Sequence, residues 1–249
     1  MSNVIKWTGT KRYVIKQMLG HFPKFDTYTE PFLGGGSVAK AVLTELKPRQ
    51  AFLSDACEPL VDFWHAIQND PKSIASHYRR EWTALQKKGN DHYLSIRSRF
   101  NSERNPGDFL FLSRTCYNGL IRFNGSNEFN VAFHHTRPGI HPDKLDKIID
   151  EWHNIFKVAE IRLADYHSAP PSDFLFLDPP YADDRTHIGF DTAEFFKWLG
   201  EIKSKWALTY NGEIPLNVPS IKLNSSTSGF RNLKNGTGPD RSELLFLSK

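Results

Sequence analysis

Cysteine and methionine are scarce, with two of each in 249 residues. Cys57 and Cys116 lie far apart and lack metal-like spacing, which argues against a disulfide scaffold and a thiolate cluster. Free thiols in a reducing cytoplasm are expected. No apolar run approaches the ~20 residues that span a bilayer. The start, Met1-Ser2-Asn3-Val4-Ile5-Lys6, lacks the apolar core of a signal peptide. A cytoplasmic protein without a membrane partner is the expectation. There is no internal repeat and no low-complexity tract, which argues against solenoids and linker-rich chains. Excess charge is also small. Thirty-two Lys+Arg against 28 Asp+Glu leave a net +4, a mild lean towards polyanions. No metal is expected, because no ligand cluster is evident. His134-His135 sit in a polar segment and read as phosphate neighbours rather than ligands.

What is present is a globular composition, 39% hydrophobic and 24% charged. Helix periodicity marks residues 13–20, and Thr27–Phe32 reads as a strand running into Gly34-Gly35-Gly36. Ser37 reads as the N-cap of a helix through Leu46. A second strand, 51–54, ends at Asp55. This is the front half of a dinucleotide-type α/β fold. From about His65 the alternation stops. Residues 65–141 hold eleven Lys+Arg against six Asp+Glu, with aromatics interleaved. A helical insertion is expected there, ending in a hairpin around Asn124-Gly125-Ser126-Asn127. A helix follows over 142–156, then strands over 158–163 and 174–177, a helix over 192–203, and strands over 206–210 and 243–247. Residues 224–240, rich in Ser, Asn and Gly, are expected to be mobile. The fold class is α/β, with residues 1–64 and 142–249 as one domain and 65–141 inserted.

Two stretches carry chemistry. Phe174-Leu175-Phe176-Leu177 delivers Asp178-Pro179-Pro180-Tyr181 at a strand's C-terminal end. The aspartate can accept one hydrogen bond from an amine on a flat ring. A diproline carbonyl can accept the other, since no helix uses it, and the tyrosine offers a stacking face. Alone, the tetrapeptide reads equally well as a strand end with a buried anchor. The glycines permit close backbone approach and the next helix N-terminus suits an anion. Asp55, at the following strand's end, suits a ribose diol. The GGGS spacing disfavours a nicotinamide dinucleotide. A nucleoside with a short charged tail fits better, and S-adenosylmethionine is one.

The motifs Lys6-Trp7-x-Gly9-x-Lys11, Glu30-Pro31-Phe32-x-Gly34-x-Gly36-Ser37, Asp55, Asn118-Gly119-Leu120-x-Arg122-x-Asn124, Phe129-Asn130-Val131 and Asp178-Pro179-Pro180-Tyr181 occur in a telling order. Together they resemble the Dam-like DNA adenine-N6 methyltransferases, in the order of that family's α group, from Lys6 to Tyr181. The resemblance implies a Rossmann-like S-adenosylmethionine-dependent methyltransferase fold with a helical target-recognition insertion and a base-reading hairpin. It implies cofactor contacts from Trp7, Lys11, Phe32, Gly34, Gly36, Ser37, Asp55 and Asp178. Catalysis would rest on Asp178, Pro179, Pro180 and Tyr181. DNA contacts would come from Lys6, Arg114, Tyr117, Asn118, Leu120, Arg122, Asn124, Asn130, Ala132 and Thr136. Of these, Tyr117 would wedge into the duplex and Arg122 would read a guanine. The partner would be double-stranded DNA, methylated at GATC or a related short site and bound by a monomer, or by two copies on a palindrome. S-adenosylhomocysteine would be the product.

The chain also departs from the pattern. Ala132 and Thr136 stand where many relatives have proline and an aromatic, and His134-His135 replaces Gly-Arg. Cys57 stands in place of asparagine, and the segment after Tyr181 is short. GATC reading is therefore open. Cytosine-N4 methylation uses a similar tetrapeptide and stays as an alternative. So do an RNA substrate and a DNA-binding protein with a vestigial transferase site.

Overall fold

A computed structural model describes residues 2–181, 190–224 and 243–248. Its centre is a seven-stranded sheet: β1 (Thr27–Glu30), β2 (Gln50–Asp55), β3 (Glu160–Leu163), β4 (Phe174–Leu177), β5 (Lys205–Tyr210), β6 (Ser220–Leu223) and β7 (Glu243–Leu247). The spatial order is β3-β2-β1-β4-β5-β7-β6. The first five strands pair in parallel, and β7 runs antiparallel to both β5 and β6. Strand order reverses between β1 and β4, which opens a crevice at their C-terminal ends. This is a Rossmann-like α/β fold.

β4 shows why the sheet is covered on both faces. Its four residues are all buried, the pattern of a parallel strand between two layers. Successive side chains point to opposite faces. Phe174 and Phe176 join one core, while Leu175 and Leu177 join another that includes Phe195 and Leu199. Those two belong to α8 (Thr192–Glu201).

The first core is covered by α3 (Glu58–Asn69) and α7 (Pro142–Phe156), with α1 (Ile15–Leu19) and α2 (Ser37–Ala41) adding smaller contributions. Residues 71–115 add α4 (Pro71–Lys88), α5 (Asn90–Glu103) and α6 (Pro106–Thr115). Helix α6 packs on α3, and α4 packs on α7. One apolar cluster therefore runs without a break from Tyr28 and Phe174 into Phe100, Phe109 and Phe129.

Several expectations need correction. The boundary at 64/65 falls inside α3, whose Trp64 and Ile67 are both in the first core. Ser37 is not an N-cap. Gly36, at φ 67°, occupies that position and Ser37 opens the helix. The helix keeps α geometry only to Ala41, and Val42–Leu46 form a wider π-type turn. The Thr44 hydroxyl donates to the carbonyls of Lys40 and Ala41, and such back-bonding competes with the helix ladder. Strand β6 was not anticipated. It is an edge strand with a single buried side chain, Leu223, so it carries no clear pattern. The expected mobile stretch falls beyond Asn224, outside the described residues, as does most of the segment following Tyr181.

Candidate active site

A cavity of about 590 Å³ opens at the crevice between β1 and β4, within the range of small-molecule sites. Trp7, Lys11, Phe32, Gly34, Ser37 and Asp55 line it from one side, and Asp178 to Tyr181 from the other. The residues expected at the cofactor, Gly36 apart, and at the catalytic centre thus converge from stretches more than 100 positions apart. Asp165, Tyr166 and Phe190 also line it and were not anticipated. Phe32 stacks on Tyr166 with centroids 5.6 Å apart. Only the aromatic character of Tyr166, close behind β3, could have signalled this.

The glycine turn owes its composition first to the protein itself. A Cβ on Gly34 would lie 2.9 Å from Trp7 Nε1, and one on Gly35 would lie 2.9 Å from Trp7 Cβ. At Gly36 a Cβ would meet Phe156, Trp64 and Trp152 at 2.9–3.1 Å, on a backbone already at positive φ. Trp7 is thus the floor of the turn. Asp55 braces it: its carboxylate accepts from the Gly34 amide and from the Cys57 amide, each at 2.9 Å. The thiols of Cys57 and Cys116 are free, and burial pushes both up to about 12, far from a reactive thiolate.

Asp178 lies at the end of β4 in a charged knot. Its Oδ1 accepts from Lys11 Nζ and from the Thr209 hydroxyl, both at 2.8 Å. Lys11 also pairs with Glu243 at 2.7 Å and donates to the Tyr181 hydroxyl oxygen at 3.1 Å. The Tyr181 hydroxyl in turn donates to Glu243 at 2.6 Å. Burial raises the Asp178 carboxyl, and Lys11 pulls it back without restoring the ordinary value. Burial pushes Lys11 down, but Asp178 and Glu243 outweigh it and hold the ammonium above its usual value. Glu243 is a site residue that sequence reasoning missed. It opens β7, 62 positions beyond Tyr181, and no motif surrounds it. Glu30, also on the cavity wall, accepts from Tyr28 at 2.6 Å. Burial lifts its carboxyl well above the usual range.

The residues expected at DNA fall into two groups. Cys116 pairs with Phe133 and Phe123 with Phe129 in an antiparallel hairpin. Alternation buries Ile121, Phe129, Val131 and Phe133 and leaves Arg122, Asn124, Asn130 and Ala132 exposed on the other face. Asn130 Oδ1 accepts from Arg122 Nε at 2.9 Å, which orients the guanidinium. Tyr117, Asn118 and Thr136 are exposed nearby in sequence, and Leu120 is half-buried against the core. Lys6 packs its stem where a Gly119 side chain would stand, its Cδ 2.5 Å from that Cβ position. Burial lowers its pKa, with Arg114 and Arg137 adding to the shift.

Two of these residues are otherwise engaged. Arg114 is buried, and its guanidinium donates to the carbonyls of Asn3 and Val4. Burial, with no acidic partner among the described residues, lowers it to about 10. It ties the N-terminal segment to α6 and has no surface to offer DNA. Asn124 spends its amide on the hairpin turn, accepting from the Ser126 and Glu128 amides and donating to the Glu128 carboxylate.

The fold and this cavity define an α/β protein with a crevice at the strand-order switch point, walled by the glycine turn and by Asp178 to Tyr181. The family model for D12 class N6 adenine-specific DNA methyltransferases matches residues 7–198, and the chain belongs to that family. Its reaction is accordingly methylation of adenine N6 in DNA. The chain is 30% identical to the type II methyltransferase M.MjaIII of Methanocaldococcus jannaschii, over 71% of this chain and 68% of that one. It is 29% identical to the DNA N-6-adenine-methyltransferase of Escherichia phage P1, over 72% of this chain but 24% of that longer protein. With the DNA adenine methylase of Escherichia coli it shares 25% over 90% and 80% of the two chains.

Proposed function

We propose that the cavity binds S-adenosylmethionine and that Asp178, Pro179 and Tyr181 present a flipped adenine of double-stranded DNA to it. The lining fits such a molecule. Asp55, Asp165 and Asp178 oppose a single cationic side chain, Lys11, among the described lining residues. Aromatic faces come from Trp7, Phe32 and Tyr166. An acid-rich aromatic cavity suits a nucleoside carrying sulfonium and ammonium charge, with Asp55 beside the ribose. The bound cofactor supplies an electrophilic methyl group.

The chain's own residues do the rest. An exocyclic purine amine is a poor nucleophile because its lone pair is conjugated with the ring. Asp178 and the Pro179 carbonyl accept its two hydrogens, which turns the lone pair out of conjugation and stabilises the positive charge that develops on nitrogen. Tyr181 stacks on the base, with its hydroxyl fixed by Glu243. Fixed acceptors also supply orientation. The target amine is paired in the duplex, so the base must be extruded. The exposed hairpin face and Lys6 would read the site, and Tyr117 would fill the space left by the adenine.

The observation that carries this reading is the convergence of Asp178 and the glycine turn on one cavity. Incubating plasmid DNA with labelled S-adenosylmethionine and digesting it to nucleosides tests it. Label in N6-methyldeoxyadenosine is expected. Label in N4-methyldeoxycytidine, or only in RNA substrates, would replace this reading with one of its alternatives.

A further inference from the structure

Tyr117 and His134 are brought together by hairpin register. Cys116 and Phe133 face each other, flanked by hydrogen bonds from Tyr117 N to Ala132 O at 2.8 Å and from His134 N to Thr115 O at 2.9 Å. Cys116 and Phe133 both point into the core. Their neighbours Tyr117 and His134 therefore share the opposite, outward face as diagonal partners, a spacing aromatic side chains can bridge. Directly opposite Tyr117 stands Ala132, too small to crowd it. The two rings stack, with centroids 5.3 Å apart and planes 21° apart. Tyr117 nevertheless stays 55% exposed.

We infer that His134 is a positioning residue for the Tyr117 wedge, and that the two rings act on the duplex as one unit. This rests on the reading of Tyr117 as the group that fills the vacated stack. A lone exposed tyrosine samples several rotamers, and inserting one into DNA orders it at a free-energy cost. A ring stacked behind it fixes the rotamer beforehand, so less ordering remains to be done on binding. Stacking also presents a thicker apolar slab to the base step. The imidazole acts here as a flat face rather than as a phosphate donor. Tyr117 directly precedes the Asn118–Asn124 motif, and His134 lies where this chain departs from the family pattern.

The test uses the full chain and two duplexes at a site mapped by sequencing methylated DNA, one with 2-aminopurine in place of the target adenine for fluorescence and one with the adenine itself for methylation. The fluorescence rise on binding reports extrusion. S-adenosylmethionine affinity serves as the folding control and stays unchanged. His134→Ala is expected to reduce the fluorescence rise and single-turnover methylation by roughly three- to tenfold, the scale of an aromatic pair. His134→Phe keeps wild-type values, and His134→Gln behaves like alanine. Adding Tyr117→Ala to His134→Ala makes nothing worse than Tyr117→Ala alone. Rescue by glutamine but not phenylalanine would mean a polar contact and overturn the inference. So would a His134→Ala variant equal to wild type while Tyr117→Ala is impaired, which leaves the wedge standing. No effect from Tyr117→Ala would remove the wedge reading and the inference with it.

Discussion

Asp178 meets opposing demands. The proposed chemistry needs it ionised, whereas burial favours the protonated form and raises its pKa. Lys11 and Thr209 hold the charge in place. Asp178→Ala should abolish methyl transfer and leave duplex affinity nearly intact, as turnover and binding assays on one duplex would show. Unimpaired turnover would remove Asp178 from the mechanism. The wild-type acid limb of kcat should lie above the ordinary aspartate value of ~3.9, because the ionised form is needed and its pKa is raised. Glu243 adds to that rise through its negative charge. Glu243→Gln should therefore move the acid limb to lower pH, and a profile unchanged or moved upward would contradict the charged knot. The tetrapeptide was legible because its four residues are contiguous. Glu243 was not, because its role comes from β7 folding back beside β5. Arg114 was misplaced for a related reason: a resemblance implies a residue's role from its type and position but does not show whether it is buried.

Helices α4, α5 and α6 are joined by ions as well as by apolar packing. Asp108 on α6 accepts from Arg99 on α5 and lies 2.6 Å from His77 Nε2 on α4. Arg99 also reaches Glu81 at 3.1 Å. His77, Glu81 and Asp108 have ligating atoms within 4.8 Å of one another, and Arg99 bridges the two acids. Burial pushes the Asp108 and Glu81 carboxyls up, but Arg99, together with His77 at Asp108 and Arg80 at Glu81, outweighs it and both end below their usual values. A depressed carboxyl stabilises the fold above its unfolded pKa and loses that contribution as pH falls through the folded value. The packing of α4, α5 and α6 should accordingly weaken below about pH 4. Asp108→Asn should cost about 3 kcal/mol, the low end for removing one partner of a buried pair, since Arg99 keeps some contact with water. Urea denaturation followed by circular dichroism measures this, and a cost near zero would mean that apolar packing alone holds the helices. Elements with strong patterns, such as α7, β4 and β7, were readable within a residue or two. Helix α3 was not read from the sequence, where the change in composition near His65 looked like a boundary, whereas its apolar stripe continues to Ile67.

Across the whole molecule, a net charge of only +4 leaves DNA affinity to local clusters rather than to a general field. The exposed face of the hairpin concentrates the candidate readers. Arg122, braced by Asn130, should contribute sequence discrimination. Arg122→Ala is expected to lose about 1–3 kcal/mol of preference at one guanine while leaving the salt slope nearly unchanged. An even loss across single-base variants, with the slope reduced by about one, would make it a phosphate contact instead. Composition marked a change of character near His65, but the shared core from Tyr28 to Phe129 could not be seen without the packing of α6 on α3 and α4 on α7.

Expressing the chain and its Asp178→Ala variant in cells without adenine methylation, followed by single-molecule sequencing of their DNA, tests the central claim most directly. The wild-type chain should leave N6-methyladenine at one short recurrent site, and the variant should leave none. N4-methylcytosine, no modified base, or equal marks from both chains would contradict an adenine methyltransferase centred on Asp178.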